Sequence, residues 1–296
     1  MIPIHYIEPV YRPPSEARSL ILPVTDGCSW NRCSFCEMYT APQKAFKPRS
    51  QAEISDTIRT VAERHREQVR RVFLADGDAL VLSTRRLMAV LTEIRAHLPA
   101  VHRVSSYCLA RNLRNKSVAE LTELADAGLT LVYLGAESGD DEVLRRVDKG
   151  EDFASTRNAL DKLGAAGITR SVMIINGLGG STLSAQHADA SARLINAVQP
   201  EYLSTLVLSF PQGKARFIQG FPQWQPLDRG GLLRELARFI DGLELRRTVF
   251  RSDHASNWLA LKGTLGADKA RLLGTLRQAI EHPEAAALRP AWARGL

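Results

Sequence analysis

The chain has 296 residues, of which 45% are hydrophobic and 24% charged, with a net charge of +7. That balance fits a soluble globular enzyme with one large core, and it excludes a membrane-spanning helix, because no window approaches roughly eighteen uninterrupted apolar residues. The positive charge is compatible with an anionic substrate or nucleic acid. Its arginines are scattered in short groups such as Arg70-Arg71, Arg85-Arg86, Arg145-Arg146 and Arg246-Arg247; this reads as a solvated surface, and nucleic acid is not the favoured partner.

A proline-rich arm opens the chain, and 1–18 is taken as an N-terminal arm. Residues 19–25 read as a short buried strand with a cysteine-rich loop at its C-terminal end. Ser50 is placed to cap a helix over about 53–66. Strands are then predicted at 69–74, 103–109, 129–135, 168–175 and 202–210. They alternate with helices at 83–97, 117–127, 141–147 with 153–166, and 184–198. Pro99 and Pro200 stop two of these helices, and Gly128 suits a left-handed C-cap. The result is an α/β chain of about six βα units, the rhythm of a parallel sheet with outer helices. From about Ala215 the pattern turns mainly helical, at 230–243 and 268–287, around the polar run Ser252 to Trp258. The expected organisation is an arm (1–18), an α/β domain (19–214) and a C-terminal extension packing on it (215–296).

Three of the four cysteines, Cys28, Cys33 and Cys36, fall in one loop, with four residues in the first gap and two in the second. Three thiolates at that spacing can wrap one corner of an iron–sulfur cube and leave the fourth iron without a protein ligand. An open metal position is a reaction site. Cys33-x-x-Cys36 alone also fits half of a zinc site or a dithiol pair. Zinc needs a fourth ligand, and the remaining cysteine is Cys108; a dithiol pair leaves Cys28 without a role. Thiolate ligands call for a reducing compartment, so a cytoplasmic location is expected. The N-terminal run Met1 to Tyr6 lacks a charged-then-apolar signal pattern.

With its aromatic Phe35 and the run Cys36-Glu37-Met38-Tyr39, this loop resembles the cluster loop of the radical S-adenosylmethionine (radical SAM) enzymes, with one residue more in the first gap than their commonest spacing. The resemblance covers roughly 20–213 and implies a partial (βα)6 parallel barrel, with the chemistry at the C-terminal ends of the strands. It implies a [4Fe-4S] cluster on Cys28, Cys33 and Cys36, with S-adenosylmethionine as the second cofactor. A reductant such as flavodoxin or ferredoxin would supply electrons. The turn Asp76-Gly77-Asp78 after the second strand occupies the place of the element that meets the cofactor's ammonium; alone it would be a glycine-centred turn with solvated aspartates. Glu137 and Ser138, in Gly135-Ala136-Glu137-Ser138-Gly139, occupy the place of residues that meet the ribose or amino acid part, and Lys149 the place of a cation for its carboxylate. Helix capping by Ser138 or Asp140 is compatible with that role. Asn176 and Gly177 open a glycine-rich turn where the family reads adenine largely by main-chain contacts, and 208–213 would complete that pocket.

Cys108, at the end of the third strand, reads as a small core residue, with a catalytic thiol as the minor alternative. His187 is expected near a helix start, in a capping or surface role. His254, Asn257 and Trp258 fit either a lid or loop packing. The function expected is reductive cleavage of S-adenosylmethionine to a 5′-deoxyadenosyl radical that takes hydrogen from a substrate, a small molecule by preference. A tRNA-modifying enzyme, or a non-catalytic iron–sulfur or zinc protein, are the alternatives.

Overall fold

The computed structural model describes residues 4–295. The main strands are β1 (Leu20–Pro23), β2 (Arg71–Ala75), β3 (Arg103–Cys108), β4 (Leu129–Glu137), β5 (Thr169–Asn176), β6 (Tyr202–Val207), β7 (Thr248–Ser252) and β8 (Leu261–Leu265). The helices are α1 (Gln51–His65), α2 (Thr84–His97), α3 (Val118–Asp126), α4 (Asp141–Arg146), α5 (Phe153–Ala165), α6 (Gly180–Val198), α7 (Ala215–Gly220), α8 (Arg229–Asp241) and α9 (Lys269–Glu281). Each of β1 to β6 is followed by at least one helix, so the class is α/β with mostly parallel strands, of the partial (βα)6 type that the sequence predicts. Among the described residues no helix is long and apolar enough to cross a membrane.

The chain divides into two compact units. One holds the residues up to Asn31, together with Cys36–Leu134 and Asn158–Arg170. Within it β1 pairs with β2, β2 with β3 and β3 with β4, all parallel. All four residues of β1 are buried, as are the last four of β2; parallel strands covered on both faces are written as such continuous apolar runs. The predicted first strand is interrupted: β1 stops at Pro23, and Thr25–Asp26 pairs antiparallel with Lys47–Pro48 instead. Ser50 caps α1 reciprocally with Glu53: its hydroxyl accepts from the Glu53 amide at 3.2 Å while Glu53 accepts from the Ser50 amide at 2.8 Å. Ser117 and Glu120 repeat the arrangement on α3. The N-terminal arm is tied in by Glu16, fully buried, which accepts from the Tyr133 hydroxyl at 2.6 Å and the Arg103 guanidinium at 2.9 Å.

The second unit holds Arg32–Phe35, Gly135–Arg157 and everything from Ser171 onward. Within it β5 pairs parallel with β6 and β6 with β7, while β8 runs antiparallel to β7. The extension therefore adds two strands to its three helices. The sequence reading missed them because each is only five residues long and interrupted by polar positions. α8 packs on α6 and on α9. A core of Val143, Val147, Ile175, Leu178, Leu183, Phe217, Phe221 and Trp224 joins the segments of this unit. Helix α6 begins at Gly180 rather than 184, so the glycine run after β5 is the helix start itself.

Candidate functional site

The cysteine loop leaves the C-terminal end of β1. None of the four cysteines is in a disulfide; Cys28, Cys33 and Cys36 are half-buried and Cys108 is buried. In the first unit the loop is braced by the turn after β2. Gly27 donates its amide to Asp76 Oδ2 at 3.3 Å, and Gly77 donates its amide to the Gly27 carbonyl at 2.9 Å. Ser29 donates its amide to Asp78 Oδ1 at 2.8 Å and its hydroxyl to Asp78 Oδ2. Asn112, in the segment after β3, donates to the same Asp78 oxygen at 2.9 Å. Asp78 is fully buried, and burial pushes its carboxyl up from the ordinary value while these donors, with the Cys28 thiol, pull the other way. A Cβ on Gly77 would stand 2.7 Å from the Gly27 carbonyl and 2.8 Å from Cys28 Cα, so only glycine lets the two backbones approach this closely. Trp30 lies under the Arg111 guanidinium at 3.6 Å, and Asn31 donates to the Tyr39 carbonyl at 2.7 Å. The peptide between Ala75 and Asp76 is cis.

Asp76 is engaged on one side only. Its Oδ2 pairs with the Lys44 ammonium at 2.6 Å, both side chains buried, while Oδ1 is buried without a partner. Burial raises its pKa and Lys44 opposes the shift.

In the second unit Ser34 donates its amide to the Val147 carbonyl at 2.9 Å, and Phe35 packs against the core cluster containing Val143 and Val147. These contacts fix Ser34 and Phe35, the two residues between Cys33 and Cys36, to the α4 end. At the C-terminal end of β4, Glu137 has a φ of +64° and a buried side chain. Its Oε1 lies 3.3 Å from the Lys149 ammonium and its Oε2 has no partner. Burial raises the Glu137 pKa, and Lys149 opposes it. Ser138 is hydrogen-bonded at 2.7 Å to His187 Nδ1 and accepts from the Asp140 amide at 3.0 Å. Its hydroxyl is therefore engaged inside the protein. His187 is 1% exposed, in the interior of α6, and not in the capping or surface place expected.

Asn176 turns its side chain away from the turn it opens, donating to the Leu232 carbonyl at 3.0 Å. Gly177, with φ +87°, donates its amide to Glu235 Oε1 at 2.6 Å. Phe210, after β6, packs on Phe217 and Trp224, with ring centroids 5.0 and 5.7 Å apart. Asn257 is buried and donates to the Thr205 carbonyl at 2.9 Å, so it packs the end of β6. Cys108 is 2% exposed at the end of β3, in the core-residue place.

The structure thus groups Cys28 with Asp76, Gly77 and Asp78, Glu137 with Lys149, and Asn176 and Gly177 with α8. Lys44, Asn112, His187 and Glu235 are added to the site's surroundings. Asn112 lies just beyond a strand end, where the strand-end rule could have found it; the other three carry no local sequence signal. Among the described residues no group of three His, Cys, Asp or Glu side chains is arranged to hold a metal ion. A cube seats each thiolate on its own iron, and three half-buried thiols on one loop are the right donors for it in kind and number.

A sequence model described as the radical SAM superfamily matches residues 22–191, more than half of the chain. No curated protein matches. Among solved structures the chain is similar to the radical S-adenosylmethionine methyltransferase TsrM from Kitasatospora setae, solved with cobalamin and a [4Fe-4S] cluster (19% identity, 64% of this chain and 36% of that one, TM-score 0.52). It is also similar to methylornithine synthase, PylB (16% identity, 77% and 63%, TM-score 0.51), and to the cobalamin-dependent S-adenosylmethionine radical enzyme OxsB (15% identity, 94% and 38%, TM-score 0.54). The chain spans less than two thirds of each of these proteins, and the likeness is one of fold.

Proposed function

The chain belongs to the radical SAM superfamily of enzymes, and from that membership we propose that it binds a [4Fe-4S] cluster through Cys28, Cys33 and Cys36 and reductively cleaves S-adenosylmethionine. The observation that carries the reading is the three-cysteine loop at the end of β1, free of disulfides and braced residue by residue by the turn after β2. When bound, the cluster supplies an electron to the cofactor's sulfonium, whose carbon–sulfur cleavage gives a 5′-deoxyadenosyl radical able to take hydrogen from a substrate.

The chain's own residues bind and orient. Asp78 holds the loop at Ser29, so its carboxylate is not available to the cofactor, and the turn offers the ammonium its main-chain carbonyls and the unpartnered Asp76 Oδ1. Glu137 offers its unpartnered Oε2 to a ribose hydroxyl or the amino acid part, while Lys149 holds the other oxygen. Ser138 supports that turn through His187. The turn that Asn176 and Gly177 open takes the adenine side by main-chain contacts at its other positions, the amide and carbonyl of Gly177 itself being held by Glu235 and Trp224. The substrate is a small molecule, electrons come from a flavodoxin or ferredoxin, and a cytoplasmic location suits the thiolates.

Anaerobic reconstitution should load four irons and four sulfides per chain, as one cube requires. Under dithionite the wild type should release 5′-deoxyadenosine and methionine, and Cys33→Ala should lose both cluster and products. Product formation by Cys33→Ala at the wild-type rate would refute the assignment, as would tightly bound zinc without sulfide. A fully loaded wild-type cluster that never cleaves the cofactor would refute the enzyme reading.

A further inference from the structure

Glu235 is a buried carboxylate on α8 with no part in the reaction described above; it is 4% exposed. A carboxylate at that depth persists only when its oxygens are hydrogen-bonded. One of them, Oε1, accepts from the Gly177 amide at 2.6 Å. The extension seizes the same turn at three further points. Leu232 accepts from the Asn176 amide side chain at 3.0 Å, Gln225 accepts from the Ser181 backbone at 2.9 Å, and Trp224 Nε1 donates to the Gly177 carbonyl at 3.4 Å. Space is tight as well: a Cβ on Gly177 would meet Leu232 at 2.8 Å, and one on Gly180 would meet Gln225 and Trp224 at 2.7 Å. Both polar groups of the Gly177 backbone are thus taken by residues of the C-terminal extension.

The second carboxylate oxygen, Oε2, has no protein partner, and neither do Asn176 Oδ1 and Thr205 Oγ1. These three residues and His187 line one small cavity between the β5 and β6 strands and α8. The cavity, of about 10 Å³, has the size of one water, and the three groups supply two acceptors and one donor to its lining. His187 connects the cavity to the Glu137 turn. Its Nε2 lies 3.1 Å from the Ile175 carbonyl, which can only accept. That places a proton on Nε2, with Nδ1 hydrogen-bonded to the Ser138 hydroxyl at 2.7 Å. The turns after β4 and β5 are therefore joined behind the strands, with Glu235 as the group that reaches the Gly177 backbone.

We propose that Glu235 is a positioning residue through which the C-terminal extension sets the Gly177 turn, and with it the adenine side of the cofactor site, with one ordered water completing the contact. The proposal rests on the reading of that turn as cofactor-facing. It is tested on cluster-loaded protein by titration with S-adenosylhomocysteine, by KM and kcat for S-adenosylmethionine in 5′-deoxyadenosine release, and by thermal melting. Glu235→Ala should weaken S-adenosylhomocysteine binding and raise KM by about tenfold, the order of one lost charged hydrogen bond. Iron content should be unchanged and kcat should move less than KM. Glu235→Gln, which keeps an acceptor for the Gly177 amide, should recover most of the affinity. If Glu235→Ala fails to fold, Glu235→Asp carries the same test, because it shortens the reach to Gly177 while keeping the charge. Unchanged ligand affinity in the folded variant, even with a lowered melting temperature, would overturn the proposal, as would Glu235→Gln binding no better than Glu235→Ala. Wild-type protein with a full cluster that binds neither ligand would instead sink the underlying cofactor reading.

Discussion

Glu137 carries two costs at once. A φ of +64° places a non-glycine residue in the left-handed region, where backbone conformations cost on the order of 1–3 kcal/mol and tend to cluster at functional sites. Its carboxylate is also out of water, with Lys149 at one oxygen and nothing at the other. Desolvation wins over the lysine, and the pKa is raised from the ordinary 4.5. The native state therefore keeps the proton to a higher pH than the unfolded chain does. The stability due to that proton is fully present below 4.5 and is lost as the pH rises through the higher native value. Glu137→Gln has no such titration. Urea midpoints measured for both proteins from about pH 4 to pH 7 should show the wild type losing ground to the glutamine variant as the pH rises. A wild type that gains instead would mean that the Lys149 pair outweighs burial.

The elements were legible wherever local chemistry decided them. Ser50 marks the start of α1 and Gly128, at φ +114°, ends α3, because caps and left-handed glycines act within a turn of the chain. β1 and β2 follow from continuous apolar runs, and β4 to β6 from apolar residues alternating with part-exposed positions. What escaped was set at long range: β7 and β8 are too short to show a period, and His187 reads as a surface histidine until Ser138, remote in sequence, is brought to it. The same limit applies to the Asp76-Gly77-Asp78 turn. Its place after β2 was readable, but not that Asp78 faces back onto Ser29 or that Lys44 covers Asp76. The turn thus behaves as a brace for the cysteine loop, and the test is steric. In Gly77→Ala the new methyl would meet backbone at 2.7–2.8 Å, so either the turn or Cys28 must move. The variant should be destabilised by about 1–3 kcal/mol, as overpacked sites are, and should retain less iron after anaerobic reconstitution. A wild-type urea midpoint together with a full iron load would show that the turn and loop can separate without consequence.

For the molecule as a whole, the charge of +7 is the feature most open to a second reading, since a basic chain invites nucleic acid. The structure shows how several of its arginines are used. Arg145 and Arg146, adjacent in sequence, both bind Glu142, at 2.7 Å each. Arg238 pairs with Asp189 at 2.7 Å, Arg49 with Asp26 at 2.9 Å and Arg32 with Asp148 at 3.0 Å. Apart from Arg49–Asp26, whose side chains are only 13% and 12% exposed, these are surface pairs that contribute little to stability, but each brings a carboxylate beside a cation and so weakens the local field that a phosphate backbone would meet. Binding to tRNA is then expected to be electrostatic and indifferent to sequence, with a Kd of roughly 10⁻⁴ to 10⁻⁶ M at physiological salt, falling off steeply as salt rises because phosphate contacts release counterions. Fluorescence anisotropy with a folded tRNA and with a denatured or unrelated RNA, at low and physiological salt, measures this directly. Equal, weak and salt-sensitive binding of both is the expected outcome, and it leaves the small-molecule substrate in place. Submicromolar binding that requires the folded tRNA and survives physiological salt would mean that unpaired cations form a shaped surface, and the tRNA-modifying reading would replace the small-molecule one.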